Sequence, residues 1–316
     1  MFKWALLLLS PFAAISSKNW LLIWVMLEIS SFSFIMFLTS ENKKEITLMY
    51  FLVQSISSAF LLISVGMKSK SEFFYEENNF MASSLFIISI ITKMGVVPMH
   101  MWMVEISRKM GGMNLFLFLT IQKIAPIIVA TKNINFSYLI TLIIMSGAIS
   151  VLLQVACVFL AELLTYSSIS HTGWMLFSSL SNYKITTFYF IVYALILMLI
   201  VKGMMGKSLK MISTSGMKSK SLALNLISLS GTPPLMGFIP KWLVLTQNSI
   251  QFNLKILNTI LVLLSSLNAF IYIRILSGKI INLPSLKKNF SKSDSWKKSD
   301  FFVNLILPSI FWANFM

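Results

Sequence analysis

Residues 93–100 read Lys-Met-Gly-Val-Val-Pro-Met-His and place a cation beside a glycine and a proline in strongly apolar surroundings. Two later stretches also place a lysine near a proline in apolar surroundings, Gln122-Lys123-Ile-Ala-Pro126 and Gly231-Thr-Pro-Pro-Leu-Met-Gly-Phe-Ile-Pro-Lys241-Trp242. A lysine inside a membrane helix is costly, so by default it marks an ion or proton pathway. Helix breaks are tolerated at membrane depth only where the backbone faces protein or a water-filled cavity. Three such stretches in one chain favour a transport function, in the first instance transport of protons.

The composition is that of a membrane protein. Of 316 residues, 57% are hydrophobic and 11% are charged, and the mean hydropathy is +0.81, whereas soluble domains carry about 25% charged residues. Apolar runs of about 18–22 residues recur along the chain, each long enough to cross roughly 30 Å of hydrocarbon. We therefore predict an all-α polytopic protein, with residues 1–316 forming a single transmembrane domain. No cleavable signal peptide is expected at the N-terminus.

The hydrophobic pattern predicts about eleven spans. They are Phe2–Ser17, Trp20–Leu38, Ile46–Gly66, Phe80–Val97, Asn114–Thr131, Phe136–Ala156, Val158–Leu180, Thr186–Gly206, Ser221–Gln247, Phe252–Ser277 and Phe301–Met316. The stretch Met99–Met113 is amphipathic and is expected to lie partly along the membrane interface. The longest predicted loop, 279–300, is polar and basic.

Lysine and arginine are distributed unevenly between alternate loops. The N-terminus and the loops after even-numbered spans carry much more positive charge than the loops on the other side. Because loops on the cytoplasmic side are enriched in these residues, the N-terminus is predicted to face the cytoplasm-like compartment. An odd number of spans then places the C-terminus on the opposite side.

Several kinds of chemistry are excluded by the residues available. Cys157 is the only cysteine, so the chain can build neither an internal disulfide nor a cysteine-based iron–sulfur site. His100 and His171 have no second ligand nearby at zinc-like spacing, and no Gly-rich nucleotide loop of the Rossmann type is present. The net charge of +16 is better explained by membrane topology than by nucleic acid, because the lysines lie mainly in short loops between spans.

Four charged residues within the predicted spans are candidates for a proton pathway: Glu28, Lys93, Lys123 and Lys241. Burial disfavours a charged lysine and a nearby carboxylate favours it, so a lysine whose carboxylate partner moves is a switchable proton site. The alternative is an internal ion pair, such as Glu28 with Lys93, that only holds helices together.

The other charged residues in the spans are explained without a functional role. Lys202 and Arg274 are near span ends, where long side chains reach the headgroups. Glu162 is expected close to the interface, in a structural role.

The segment Tyr166-Ser-Ser-Ile-Ser-His171-Thr-Gly-Trp174 predicts a polar seam inside a helical bundle. His171 is a possible proton relay because its unperturbed pKa lies near neutrality. Packing of the small residues between helices explains the segment equally well.

These motifs resemble those of the NADH–ubiquinone oxidoreductase chain 2 family, antiporter-like subunits in the membrane arm of mitochondrial respiratory complex I. The resemblance is carried, in family order, by Ser16-Ser-Lys-Asn-Trp20 with Trp24-Val-Met-Leu-Glu28-Ile, by the three lysine stretches above, and by the Tyr166–Trp174 segment. The chain departs from the family pattern at several positions. Met99 and Met101 flank His100 where the family usually has Phe, Val104 precedes Glu105 where a proline is common, Ala161-Glu162 stands where the span often begins with a basic residue, and Ser230 replaces the first glycine of Gly-Gly-x-Pro-Pro. They leave the four candidate charges untouched.

The resemblance implies two inverted repeats, each with a discontinuous helix, in the mitochondrial inner membrane with the N-terminus in the matrix and the C-terminus in the intermembrane space. It implies that Glu28 and Lys93 form the charge pair of one half-channel, that Lys123 is the central proton carrier, and that Lys241 faces the exit half or the next subunit. No cofactor is expected in this chain. FMN, iron–sulfur clusters and ubiquinone are expected in partner subunits. The expected partners are other membrane-arm and accessory subunits and lipids, cardiolipin among them, and no nucleic acid.

Two other functions fit the same sequence. One is a subunit of an Mrp-type cation/proton antiporter, which would depend on a sodium gradient rather than on NADH oxidation. The other is a non-conducting scaffold, whose intramembrane charges would be dispensable.

Overall fold

The computed structural model of the chain describes residues 2–41, 43–70, 77–204, 220–249, 254–281, 300, 303–304 and 308–309. The chain divides into two compact units, Met1–Ser146 and Gly147–Met316. The predicted loop 279–300 and the predicted span Phe301–Met316 lie almost entirely outside the described residues.

The described residues of the first unit form α-helices joined by short connections. They are α1 (Phe2–Ser16), α2 (Trp20–Leu38), α3 (Lys44–Lys70), α4 (Glu77–Met94), α5 (Met101–Lys109), α6 (Gly112–Leu119), α7 (Ile121–Asn133) and the first part of α8 (Phe136–Val155). Helix α7 packs against α1, α2 and α4, and α3 packs against α2, α4 and α5. These contacts bring α7 beside the two helices that carry Glu28 and Lys93.

The second unit contains the rest of α8 and, within its described residues, five further long helices. They are α9 (Leu160–Ser179), α10 (Tyr183–Met204), α11 (Lys220–Ser230), α12 (Phe238–Asn248) and α13 (Lys255–Ile281). Helix α10 packs against α9, α11 and α12, while α13 packs against α11 and α12. Every residue of α9 is buried, so α9 is a central helix of this unit.

Six helical stretches in the described part of the chain are long and apolar enough to cross a membrane. They are Trp20–Leu38, Lys44–Met67, Gly112–Asn133, Phe136–Val155, Tyr183–Met204 and Lys255–Ser277. Shorter apolar helices at Lys3–Ser16, Phe80–Met94 and Ser221–Ser230 accompany them. The chain is therefore an all-helical multi-pass membrane protein, as the composition predicted.

Two of the predicted spans are each divided into two helices. The span predicted at Asn114–Thr131 consists of α6 and α7, which meet at Thr120 with φ −113° and ψ −79°. The span predicted at Ser221–Gln247 consists of α11 and α12, separated by residues 231–237. The amphipathic stretch around Met99–Met113 contains α5, which buries Trp102, Met103, Val104, Ile106 and Ser107.

Helix α4 ends in a left-handed glycine. Gly95 has φ +63°, its N–H bonds the carbonyl of Thr92, and the N–H of Val96 bonds the carbonyl of Ile91 at 3.2 Å. This double hydrogen-bond pattern is the Schellman motif that closes helix C-termini. A Cβ at Gly95 would lie 2.7 Å from the sulfur of Met103, so both the backbone and the approach of α5 require glycine here.

Candidate functional site

Glu28 and Lys93 form an ion pair in the first unit. Lys93 Nζ lies 3.5 Å from Glu28 Oε1, and the two side chains are 2% and 15% exposed. Glu28 lies in the middle of α2 and Lys93 in the last turn of α4. A cation near a helix C-terminus is favoured by the helix dipole. The pair therefore joins the interior of α2 to the end of α4. The Glu28 carboxylate is partly exposed, and the Lys93 ammonium is buried.

Lys123 is buried three positions after the break between α6 and α7. Its residue exposure is 3%, and its N–H bonds the carbonyl of Thr120 at 3.0 Å, a tightened turn. Pro126, one turn further along α7, has no N–H to donate to the carbonyl of Gln122. The carbonyl of Gln122, directly before the buried lysine, therefore lacks its usual helical donor.

Gln122 links three helices beside Lys123. Its Nε2 donates to the carbonyl of Ser30 on α2 at 3.1 Å, and its Oε1 accepts from the hydroxyl of Tyr50 on α3 at 3.3 Å. Ser30 is two positions from Glu28, so this amide connects the segment carrying the ion pair to the segment carrying Lys123. Gln122 was quoted in the sequence motif but given no role, because its partners lie 92 and 72 positions away in the chain.

The break between α11 and α12 is built on two glycines. Gly231 has φ +80°, and a Cβ there would lie 2.7 Å from Lys241 Nζ. A Cβ at Gly237 would lie 1.8 Å from the carbonyl oxygen of Ser228, so the chain passes too close to α11 for any side chain. The sequence signal Gly-Thr-Pro-Pro predicted a break at this place.

All four terminal carbonyls of α11 have hydrogen-bond donors, although a helix end leaves them without intrahelical partners. The carbonyl of Ile227 accepts from the Ser230 hydroxyl at 2.6 Å, and the carbonyl of Ser228 accepts from the Gly231 N–H at 3.1 Å. The remaining two, those of Leu229 and Ser230, are bonded by the ionisable side chains described next.

Lys241 reaches back from α12 to the end of α11. Its Nζ donates to the carbonyl of Ser230 at 2.7 Å and lies 5.7 Å from the ring centroid of Trp174 on α9. Lys241 is 4% exposed. A helix C-terminus and an aromatic face both attract cations, so this position suits an ammonium despite its burial.

His171 bonds the neighbouring carbonyl. Its Nε2 lies 3.1 Å from the carbonyl oxygen of Leu229, and its Nδ1 lies 2.8 Å from the hydroxyl of Tyr189 on α10. The structure thus places His171 and Lys241 on two consecutive carbonyls of the broken helix. Sequence reasoning proposed both residues but did not anticipate that they share this helix end.

The hydroxyls of α9 bond mainly to their own helix. Those of Thr165, Ser167, Ser168, Ser170, Thr172, Ser178 and Ser179 each donate to the carbonyl three positions earlier. Ser170 and Ser178 also contact other helices, through Asn268 and Thr186. The predicted polar seam therefore exists as a fully buried helix that packs against polar neighbours through small side chains.

The remaining candidate residues are placed less distinctively. Glu162 lies in the first turn of α9 and is 5% exposed, so it is buried in the unit. His100 precedes α5, and its Nδ1 lies 3.1 Å from the carbonyl of Pro98. Lys202 and Arg274 are exposed near the ends of α10 and α13, as expected for side chains that reach headgroups. No group of three His, Cys, Asp or Glu residues in the described ranges could hold a metal.

One buried carboxylate was missed by the sequence analysis. Asp300 was assigned to the basic loop, yet it is 5% exposed, and its Oδ2 accepts from Asn225 of α11 at 3.5 Å. Asn304 donates to the side chain of Asn225 at 2.6 Å and to the carbonyl of Asp300 at 2.9 Å. The signal available was the apolar run that begins directly after Asp300.

Comparison with known proteins identifies the family of the chain. The family profile described as NADH:quinone oxidoreductase/Mrp antiporter, TM, matches residues 17–268, which defines the class as antiporter-like membrane proteins. NADH-ubiquinone oxidoreductase chain 2 of Locusta migratoria is 31% identical over 293 residues, 88% of this chain and 84% of that protein. The chain belongs to the NADH-ubiquinone oxidoreductase chain 2 family, membrane subunits of respiratory complex I.

Two solved structures share the fold. A chain of respiratory complex I from Thermus thermophilus matches with a TM-score of 0.74 and 21% identity, covering 86% of this chain and 68% of that one. A chain of the Mrp complex from Dietzia sp. DQ12-45-1b matches with a TM-score of 0.67 and 16% identity, covering 85% and 58%. At these identities the similarity establishes the antiporter-like fold.

Proposed function

We propose that this chain conducts protons across the mitochondrial inner membrane as a membrane-arm subunit of respiratory complex I. Glu28 and Lys93 are the proposed switchable pair, Lys123 the central carrier, Lys241 the exit residue and His171 a relay. The redox chemistry belongs to FMN, iron–sulfur clusters and ubiquinone in partner subunits. Energy reaches this chain through contacts within the membrane, and cardiolipin is the expected lipid partner.

The observation that carries the proposal is that three lysines are buried at breaks in helices. Lys93, Lys123 and Lys241 are 6%, 3% and 4% exposed, and each lies within three positions of a helix end or start. Burial makes the charged form of a lysine costly, so a change in its surroundings can release or capture a proton. Broken helices supply backbone groups that tolerate hydration at membrane depth.

The first test is Lys123→Met in the assembled complex. The expected result is a lower proton-to-electron ratio with near-normal assembly, because methionine occupies similar space without a titratable group. Lys132→Met is the matched control, since Lys132 is an exposed lysine in the last turn of the same helix. An unchanged ratio in Lys123→Met would remove the basis for proton conduction and favour a scaffold role.

Membership of the complex is tested by native gel electrophoresis of mildly solubilised inner membranes, with an in-gel NADH dehydrogenase stain and mass spectrometry for this chain. The expected result is co-migration with the large NADH-oxidising band. Migration of the chain in a smaller assembly without that activity would contradict the proposal.

Membrane orientation is tested by limited proteolysis of intact inner membranes. With the N-terminus in the matrix, the basic loop 279–300 is also on the matrix side. It is therefore expected to be cut only after the membrane is opened. Cleavage by protease added to the outer face would reverse the proposed orientation.

The fold similarity to a chain of the Mrp complex supports one second candidate, a cation/proton antiporter subunit. The two functions differ in their driving force. Proton movement that requires NADH oxidation and ignores an imposed sodium gradient supports the complex I subunit, whereas sodium/proton exchange by liposomes containing the chain without NADH supports the antiporter.

A further inference from the structure

The hydroxyl of Tyr189 lies 2.8 Å from Nδ1 of His171. Tyr189 is 1% exposed and His171 is 4% exposed, so the bond is shielded from bulk solvent. A second tyrosine of the same helix, Tyr193, contacts the His171 ring through its own ring at 5.0 Å between centroids. The Tyr189 ring also contacts the His171 ring, at 5.9 Å between centroids, so the hydrogen bond to Nδ1 is what distinguishes Tyr189 from Tyr193.

Hydrogen-bond chemistry fixes the direction of the bond between His171 and Leu229, and the protonation of the ring then decides the direction of the bond to Tyr189. The carbonyl oxygen of Leu229 can only accept, so Nε2 must carry a hydrogen and donate to it. In a neutral imidazole the other nitrogen then has a lone pair. In that neutral form the Tyr189 hydroxyl, 2.8 Å away, donates to the lone pair.

We propose that Tyr189 is a positioning residue that orients His171 at the end of α11 and selects, for its neutral form, the tautomer with the proton on Nε2. The role rests on the proposed proton conduction, since it concerns the relay next to Lys241. The carbonyl bonded by His171 belongs to the residue directly before Ser230, whose carbonyl accepts from Lys241. Tyr189 thereby sets the tautomer of His171 at the end of α11, which His171 and Lys241 share.

Proton uptake by His171 must involve Tyr189. An arriving proton can bind only at Nδ1, because Nε2 already carries one. The Tyr189 hydroxyl must then turn its hydrogen away and offer its oxygen to the new N–H, while Tyr189 keeps its own proton throughout. Loss of the proton restores the original direction. The hydroxyl therefore reverses its bond twice in each cycle, once on proton uptake and once on proton loss, while Nε2 stays on Leu229.

The test compares Tyr189→Phe with Tyr193→Phe in the assembled complex. Both changes remove one buried hydroxyl from α10 beside His171, but only the first removes the donor at Nδ1. The expected result is a lower proton-to-electron ratio for Tyr189→Phe, similar in size to the loss in His171→Gln, and a normal ratio for Tyr193→Phe. NADH oxidation in the presence of an uncoupler is expected to remain normal in both.

A double variant separates this role from a structural one. In His171→Gln the amide nitrogen can donate to Leu229 and the amide oxygen can accept from Tyr189, so the bonds persist without a titratable ring. Adding Tyr189→Phe to this variant is expected to lower the ratio no further. The positioning role would be overturned if Tyr189→Phe lowered the proton-to-electron ratio equally in the wild type and in His171→Gln, or prevented assembly in both. It would also be overturned if Tyr189→Phe and Tyr193→Phe lowered the ratio equally.

The same data distinguish failure of the inference from failure of the proposed function. If Lys123→Met and His171→Gln lower the ratio and Tyr189→Phe does not, only the positioning role is wrong. If none of the three lowers it, the proposed conduction itself is wrong.

Discussion

The ammonium of Lys241 lies 2.7 Å from the carbonyl oxygen of Ser230, eleven positions earlier in the chain. A side chain of α12 thus completes the C-terminus of α11, where the helix dipole concentrates negative potential. If Lys241 lost its charge, the Ser230 carbonyl would keep a weaker donor and the Trp174 ring would lose its cation. The geometry of the broken helix and the protonation of this lysine are therefore linked.

Gly231→Ala tests how closely that arrangement depends on the glycine. A Cβ would lie 2.7 Å from Lys241 Nζ, on a backbone with φ +80°. The left-handed conformation alone costs roughly 1–2 kcal/mol for an L-residue, and Lys241 must also move from Ser230. We expect less assembled complex on native gels and a lower dissociation temperature.

Gly66→Ala is the control for that substitution. Gly66 lies within α3, and nothing lies within 4 Å of an added Cβ. Alanine favours a helix interior over glycine by about 1 kcal/mol, so assembly should be unchanged or improved. Equal losses for the two alanine variants would show that contact with Lys241 does not matter.

The ion pair in the first unit predicts a non-additive effect. Glu28→Gln removes the carboxylate 3.5 Å from Lys93, and breaking a buried pair from one side costs about 3–5 kcal/mol. The partial exposure of Glu28 places the expected cost at the lower end of this range. Adding Lys93→Met removes the uncompensated ammonium, so the double variant should assemble better than Glu28→Gln alone.

Proton pumping separates the two roles of this pair. A purely structural pair predicts that the double variant recovers both assembly and the proton-to-electron ratio. A conducting pair predicts that it recovers assembly while the ratio stays low. If the stability effects of the single changes simply add, the two residues are not coupled and the pair contributes little.

The all-helical membrane architecture could be predicted from the sequence, because long apolar runs indicate segments buried in lipid and glycine or proline indicates breaks in helices. The Gly95 and Gly231 breaks were visible for this reason. The break at Thr120 could not be predicted, because no glycine or proline lies at it and it depends on tertiary packing. Lys123 was noticed as a charge in an apolar run, yet its proximity to a helix start was hidden.

Contacts between distant residues account for most of what the sequence could not show. Residue types allowed Glu28 to be proposed as a partner of Lys93 because few charges lie in the spans. Gln122, Tyr189 and Asp300 carried no such signal, since amides, tyrosines and an acid beside a basic loop are common. Their roles depend on partners brought together only by helix packing.

Gln122 provides the last prediction, a coupling between three helices. Gln122→Leu removes the donor to Ser30 and the acceptor of Tyr50. Each hydrogen bond contributes about 0.5–1.5 kcal/mol, and a buried polar group left unpaired costs about 1–3 kcal/mol. Because Tyr50 is 1% exposed, we expect a clear decrease in the dissociation temperature of the complex.

Tyr50→Phe added to Gln122→Leu identifies the source of that decrease. Phenylalanine removes the hydroxyl left without its acceptor and keeps the ring beside Phe34, at 5.1 Å between centroids. The double variant should therefore recover part of the stability lost in Gln122→Leu. A further decrease would mean that Tyr50 acts through other partners. A lower proton-to-electron ratio that persists in the stabilised double variant would show that the Gln122 bridge also positions Lys123, its neighbour in the chain.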